Sequence, residues 1–248
     1  MDTLIHHLNQ LKLAGVRQAL KQQQTQPALY QELSFEERLC LLLEQELQGR
    51  GQRRIERLVT QARFRLKANL AQLDHRPQRN LDKGFIRSLA QGQWLDLHQN
   101  LLITGATGCG KTYLACALGH HHCQQGRSVH YFRLKQLLET LYLAQADGSY
   151  RRVLSKLASS ELLILDDWGL EPLTPQQRSD LLELVDARHG HHATLVASQL
   201  PLEHWYPMIG ESTHADAILD RLVHGSLRIE LQGESLRKTG VSLTDADH

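Results

Sequence analysis

Gly105-Ala106-Thr107-Gly108-Cys109-Gly110-Lys111-Thr112 is the stretch that decides how this chain folds. It matches the pattern G-x-x-x-x-G-K-[ST] at every fixed position. Leu101-Leu102-Ile103-Thr104 stands before it as a strand, and Tyr113-Leu114-Ala115-Cys116-Ala117-Leu118 opens a helix after it. The glycines let the backbone curl so that its N–H groups face a phosphate, and the helix N-terminus adds about half a positive charge. The run therefore predicts a nucleoside triphosphate site spanning Gly105, Ala106, Thr107, Gly108, Cys109, Gly110, Lys111 and Thr112. Lys111 is expected to reach the β- and γ-phosphates, and the Thr112 hydroxyl to ligate Mg²⁺. A thiol at a helix start is acidified by the same field, so Cys109 is expected to react with alkylating agents.

The second half of such a site lies about fifty residues on. Leu162-Leu163-Ile164-Leu165 is wholly apolar and runs into Asp166-Asp167. In a parallel sheet the C-terminal strand ends gather on the edge where ligands bind. Asp166 is expected to hold the Mg²⁺ shell, and Asp167 to orient or deprotonate the attacking water. Thr194-Leu195-Val196-Ala197-Ser198-Gln199 is another strand ending in polar groups, so Gln199 or Ser198 is a candidate contact to the γ-phosphate or its water. Arg221, in Asp216-Ala217-Ile218-Leu219-Asp220-Arg221, has two readings: it acts on a neighbouring subunit's γ-phosphate, or it pairs with Asp216 or Asp220 on the surface.

Around these motifs apolar runs at 100–104, 128–133, 162–166 and 194–198 read as buried strands, separated by helices at 111–125, 135–146, 150–159 and 175–189. This is the rhythm of an α/β domain with a parallel sheet covered on both faces. The last of these helices has a strong start signal, with Thr174 as N-cap, Pro175 at N1 and Gln177 at N3.

Upstream the pattern is helical. Leu4, Leu8, Leu11, Gly15 and Ala19 recur at three- and four-residue steps and predict one amphipathic helix over 4–20. Ser34-Phe35-Glu36-Glu37 is a capping box that starts a leucine-rich helix, and Gly49 and Gly51 suggest its end. Residues 50–67 then read as a helix with one apolar stripe and one cationic face. A polar stretch at 74–82 reads as a linker, so the expected domains are residues 1–75, helical and basic, and 83–240, the nucleotide-binding body.

The charge balance supports that division. Lys and Arg number 28 against 27 Asp and Glu, a net charge of +1. Residues 1–87 nevertheless hold 15 basic and 9 acidic residues, whereas 88–248 hold 13 and 18, so a +6 arm precedes a −5 body. Four cysteines in 248 residues do not make a disulfide scaffold. No apolar run approaches the roughly 18–20 residues of a membrane span. Met1–His7 lacks a charged start followed by an apolar stretch. A cytoplasmic setting is expected. His120-His121-His122 lie near Cys116 and Cys123, but one helix cannot wrap tetrahedral ligands around a metal.

Taken together, Gly105–Thr112, Leu162–Asp167 with Trp168-Gly169-Leu170, and Ser198-Gln199-Leu200-Pro201 resemble the IstB-like ATPases. These are helper proteins of bacterial insertion-sequence transposition, related to the DnaC helicase loaders within the AAA+ class. The most specific segments are Ala215–His224 and Arg228–Lys238. The resemblance implies a AAA+ P-loop NTPase fold with five parallel strands, the fifth at Arg228–Leu231, behind a small helical N-terminal domain. It implies an ATPase that uses ATP and Mg²⁺ and forms homo-oligomers through ATP interfaces on double-stranded DNA. A transposase encoded by the same element is the implied partner. A DnaC-like replicative helicase loader is the alternative. Arg221 becomes the trans-acting arginine, Gln199 stands near the first sensor position where Asn is commoner, and Arg237 is a candidate second sensor in cis.

Two stretches are candidate DNA contacts. Residues 50–87 hold 11 basic and 3 acidic residues, where a merely solvated face mixes its signs. Arg53, Arg54, Arg57, Arg63, Arg65 and Lys67 are the candidates there, for sequence-tolerant phosphate contacts. Arg151, Arg152 and Lys156, between the second and third strands, are the others. The bland reading of both, a charged face in water, stays open.

Overall fold

The computed structural model describes residues 2–210 and 212–233. The chain divides into two compact units, Met1–Arg57 and Leu58–His248. The expectation for Arg237, and the end of the expected body at residue 240, lie outside the described residues.

In the first unit the single helix expected over 4–20 is two helices, α1 (Asp2–Gln10) and α2 (Ala14–Thr25). Lys12 turns the chain with a φ of 55°, and Leu13 N–H closes back onto the Leu8 carbonyl at 2.9 Å. Leu13 offers α2 no side-chain cap. Glu46 supplies one from a distant position: its Oε2 accepts from the Gly15 and Val16 amides at 2.6 and 3.3 Å. A carboxylate at a helix N-terminus satisfies orphan donors and meets the positive end of the dipole. Arg50, bonded at 2.8 Å, and these two amides hold the Glu46 carboxyl below its usual range. Gly15 allows the approach, because a Cβ there would meet the backbone of Gln45 and Glu46 at 2.7–2.9 Å.

Glu46 lies on α3 (Phe35–Ala62), which starts at the expected capping box, with Ser34 N–H donating to Glu37 at 2.7 Å and Glu37 N–H to Ser34 Oγ at 3.2 Å. The helix runs straight through Gly49 and Gly51, where an end was expected. An interior glycine costs only about 1 kcal/mol relative to alanine. Glu46, paired with Arg50 and Arg53, spans the position of Gly49. The helix ends instead at Ala62, and Arg63 follows with a φ of 55°. Arg63, Arg65 and Lys67 therefore do not share the helical face of Arg53, Arg54 and Arg57, a correction to the continuous helix read over 50–67. The spacing beyond Ala62 stays apolar because that segment packs, not because it is helical.

The second unit begins before the stretch read as a linker. Ala62, Ala68 and Leu81 are buried in its core, with Leu58, Val59, Phe64, Leu70 and Leu73 against them. Residues 74–82 are tied down by charge pairing, since Asp74 binds Arg76 at 2.7 Å and Arg79 at 3.4 Å. Hydrogen bonds from Arg76 lower the Asp74 carboxyl to about 2. Asp82 then caps α4 (Lys83–Gln91) through Phe85 N–H.

After α5 (Gln93–Asp96) come β1 (Leu101–Gly105), α6 (Lys111–Gln124), β2 (Val129–Arg133), α7 (Leu134–Ala146), α8 (Tyr150–Ala158) and β3 (Leu162–Trp168). They are followed by α9 (Pro175–Arg188), β4 (Ala193–Ser198), α10 (Trp205–Ile209), α11 (Ser212–Val223) and β5 (Leu227–Leu231). The five strands form one parallel sheet in the order β2-β3-β4-β1-β5. The α/β class, the five strands and the fifth strand's position are as expected. Alternate residues serve opposite faces, as the period of a strand requires. Leu101, Ile103, Leu162, Ile164, Leu195 and Ala197 join the core beneath α6. Leu102, Leu163, Leu165 and Val196 join the core with α7, α9 and α11. Among the described residues no helix is long and apolar enough to cross a membrane.

Candidate nucleotide-binding site

β1 ends at Gly105 and α6 begins at Lys111, so the glycine-rich run is the loop between a central strand and a helix buried on nearly every side. Gly105 has a φ of 143°, and a Cβ there would overlap the Leu231 carbonyl of β5. Gly110 has a φ of 95° and is the N-cap of α6, where no side chain competes for the first amides. The amides of Lys111, Thr112 and Tyr113 are thus available to an anion. Lys111 Nζ lies against its own loop, donating to the Gly105 and Ala106 carbonyls at 2.7 and 2.9 Å. Arg79, 6% exposed, braces the loop from the stretch read as a linker by donating to the Cys109 carbonyl. Cys109 is fully buried, which runs against the expectation of a thiol open to alkylating agents.

Asp166 sits at the heart of the site, 1% exposed. Its Oδ2 accepts from Thr112 Oγ1 and from the Tyr131 hydroxyl, each at 2.7 Å, and its Oδ1 from Asp167 N–H at 2.9 Å. Burial and the Asp166 charge raise the Tyr131 phenol, which keeps it a donor. A hydroxyl and a carboxylate held together at the loop's exit are the oxygen set a hard divalent cation takes alongside phosphate and water. The residues present therefore fit Mg²⁺.

The strand expected to stop at Asp166 continues to Trp168 through a bulge. Leu165 faces Val196 but Trp168 faces Ser198, so β3 has one extra residue there. A bulge bends a strand and re-aims its side chains. Asp167 occupies it with a φ of 56°, an uncommon conformation for a non-glycine residue. Its Oδ2 stands 3.4 Å from Arg65 Nη1 and 3.7 Å from Arg133 Nε. β4, not β3, is hydrogen-bonded to β1 and brings Gln199 to the loop, where Thr107 Oγ1 donates to Gln199 Oε1 at 2.6 Å. Ser198 is buried and bonds the Trp168 carbonyl and Leu200 N–H, so of the two candidates Gln199 is the one at the site. Arg65, Thr107, Lys111, Thr112, Asp166, Asp167 and Gln199 line one cavity of about 310 Å³.

Arg221 is elsewhere. It lies near the end of α11, and its carbonyl accepts from Asn100 Nδ2 at 2.8 Å, just before β1 begins. Arg221 therefore belongs to the edge of the sheet opposite the phosphate loop. Its guanidinium pairs at 2.7 Å with Asp186 of α9, not with Asp216 or Asp220. Arg53, Arg54 and Arg57 are exposed on α3, and Arg151, Arg152 and Lys156 on α8.

The sequence matches the IstB-like ATP binding protein family over residues 6–243. The chain belongs to that family. An insertion-sequence ATP-binding protein of Sinorhizobium fredii is 46% identical over 93% of this chain and 94% of its own length. The ATP-binding protein of insertion sequence IS1162 from Pseudomonas fluorescens is 50% identical over 79% of this chain and 85% of its own. Among solved structures, AMPPCP-bound DnaA from Aquifex aeolicus superposes with a TM-score of 0.59 at 18% identity, over 71% of this chain and 53% of that one. The DnaC helicase loader gives 0.57 at 20% identity, over 66% and 97%. Likeness at such identity shows the fold, which is AAA+. This IstB-like protein is an ATP-binding AAA+ ATPase.

The fold gathers the loop, Asp166, Asp167 and Gln199 at one cavity, together with residues that carry no motif. Arg79 carried no signal, because the stretch around it looks like a polar connector. Tyr131 and Arg133 looked like ordinary residues of an alternating strand. Arg65 was assigned to DNA, but its guanidinium lines the phosphate cavity. The only available hint was the apolar spacing of Ala62, Leu66 and Ala68 around it.

Proposed function

We propose that this IstB-like ATPase uses MgATP to assemble into homo-oligomers on double-stranded DNA, and so assists the transposase of its own insertion sequence. The observation that carries this reading is the position of Arg221. A five-residue strand spans roughly 15 Å, so an arginine at the opposite sheet edge cannot reach the phosphates of its own subunit. It is partly exposed and ends a helix, where a neighbouring subunit's nucleotide can meet it. ATP then completes an interface, and an interface that completes an active site makes hydrolysis depend on assembly.

Within one subunit the loop amides and Lys111 hold the phosphates. Thr112 and Asp166 would hold Mg²⁺, which would supply positive charge to offset the charge that develops on the phosphates. Tyr131 keeps Asp166 oriented. Gln199, tied to Thr107, stands where the terminal phosphate or the attacking water would lie. Asp167 orients that water. The insertion-sequence context of the relatives supports the transposase as partner and a cytoplasmic setting.

Arg53, Arg54 and Arg57, and separately Arg151, Arg152 and Lys156, are the proposed DNA contacts. Neutralising the first three together is expected to flatten the plot of log K against log[salt] for duplex binding by roughly 2–3 units, and to weaken all sequences alike. Fluorescence anisotropy with duplex and single-stranded probes measures this. An unchanged slope would remove α3 from the contact list, and a preference for single strands would favour the helicase-loader reading.

A further inference from the structure

Arg65 keeps helical spacing with the cationic residues before it, but the fold takes it elsewhere. α3 ends at Ala62, Arg63 turns the chain, and the next residues lie along α6, the helix that the phosphate loop feeds. Phe64 packs edge-on against the His120 ring at 6.3 Å. A Cβ on Gly119 would stand 2.6 Å from the Phe64 ring, so the glycine in α6 is what admits that ring. One turn earlier on α6, Cys116 is fully buried in the same core as Ala62 and Ala68. Ala62 and Ala68 close the segment into the core on either side.

The helix that presents the phosphate loop thus also fixes the backbone of Arg65. The guanidinium faces the cavity shared with Lys111, Thr112 and Asp166, and it pairs there with Asp167 at 3.4 Å. That distance is long for a charge-assisted hydrogen bond, and both side chains are about one-third exposed. The pair is a weak one.

We propose that Arg65 is a cis-acting nucleotide contact of this ATPase, which leaves Asp167 for the terminal phosphate of ATP, and not a DNA contact. A phosphate offers several anionic oxygens to the planar fork of an arginine, and bonds of that kind form at about 2.7–2.9 Å. Transfer of Arg65 to the phosphate leaves the Asp167 carboxylate with only the longer contact to Arg133, at 3.7 Å, and so more available to a water. ADP lacks the phosphate that competes, so Arg65 stays with Asp167 in its presence. Arg65 then distinguishes the triphosphate from the diphosphate in the same subunit. The inference rests on the ATPase reading of the site.

The test compares Arg65→Ala, Arg65→Lys and the neighbouring Arg63→Ala in the full chain. Affinities for a non-hydrolysable ATP analogue and for ADP, both with Mg²⁺, are measured beside the salt slope of duplex binding. Arg65→Ala is expected to weaken the ATP analogue roughly tenfold and ADP by less than about twofold. Arg65→Lys recovers part of the loss, because it keeps the charge without the fork. Arg63→Ala binds both nucleotides as the parent does, and the salt slope of Arg65→Ala is unchanged. Equal losses for the ATP analogue and ADP would overturn the proposal. So would unaltered nucleotide affinities with a salt slope shallower by about one unit. A parent chain that binds neither nucleotide would sink the ATPase reading itself, which is a separate outcome.

Discussion

On the proposed function, Arg221→Ala is expected to lower ATP turnover in the presence of duplex DNA by on the order of 10³-fold, with nucleotide affinity within about twofold of the parent. The size follows from the role: an arginine that meets the γ-phosphate only when subunits adjoin stabilises the transition state and not the bound ground state. The fold should survive the change. The Asp186 carboxylate it pairs with is 60% exposed, and such surface pairs contribute at most about 1 kcal/mol. The trans assignment gives a sharper expectation for mixtures. Arg221→Ala retains an intact phosphate loop, and Lys111→Ala retains an intact Arg221. Mixed together, the two dead variants form interfaces holding one working half from each, and turnover partly returns. Steady-state assays of each variant and of the mixture decide it. A mixture as inactive as its components, or an Arg221→Ala variant with parental turnover, would refute the trans role.

The second large effect concerns stability. Arg188, at the end of α9, is 1% exposed, and among the described residues no carboxylate pairs with it. Its Nη1 donates to the carbonyls of Leu157, Ala158 and Ser160 at 2.6, 3.3 and 2.8 Å, and its Nε to Thr194 Oγ1 at 3.0 Å. Nη2 donates to the Ala193 carbonyl. One guanidinium therefore satisfies the carbonyls that end α8 and anchors that helix to the start of β4. Burial lowers its pKa to about 9, which still leaves it charged at neutral pH beside the negative end of a helix. Arg188→Met keeps comparable bulk and strands these buried acceptors. Each unsatisfied group costs about 1–3 kcal/mol, and part of that is offset because the desolvated charge goes too. A net loss of roughly 3–5 kcal/mol is expected, or a fall in Tm of about 10 °C. Urea unfolding of parent and variant measures it. A variant within about 1 kcal/mol of the parent would show that Arg188 is not the anchor of α8.

What could be read from the sequence was local. The phosphate loop is eight consecutive residues, and its neighbours on both sides declare their own structure. The helix start at Thr174 is equally local, and both of its reciprocal hydrogen bonds are present, at 2.9 and 3.4 Å. The apolar run Leu162–Leu165 can lead only to a buried strand and a polar edge. The misreadings came where distant residues decide the outcome. Gly49 and Gly51 look like a helix end until Glu46 is seen holding both α2 and the arginines of its own helix. The turn at Lys12 depends on an α2 N-terminus capped from 30 residues away. Arg65 kept helical spacing with the residues before it, yet the decisive feature was a missing side chain at Gly119. Asp186 and Arg221 are 35 residues apart, and only the packing of α9 on α11 brings them together.

In the proposed function, ATP binding at Gly105–Thr112 drives assembly on duplex DNA. The most direct test is sedimentation of the full chain with duplex DNA, with and without a non-hydrolysable ATP analogue, beside Lys111→Ala. The parent should form DNA-bound oligomers with the analogue and remain small without it, and Lys111→Ala should remain small in both. If Lys111→Ala assembles as the parent does, or the parent assembles equally without nucleotide, the central claim is wrong.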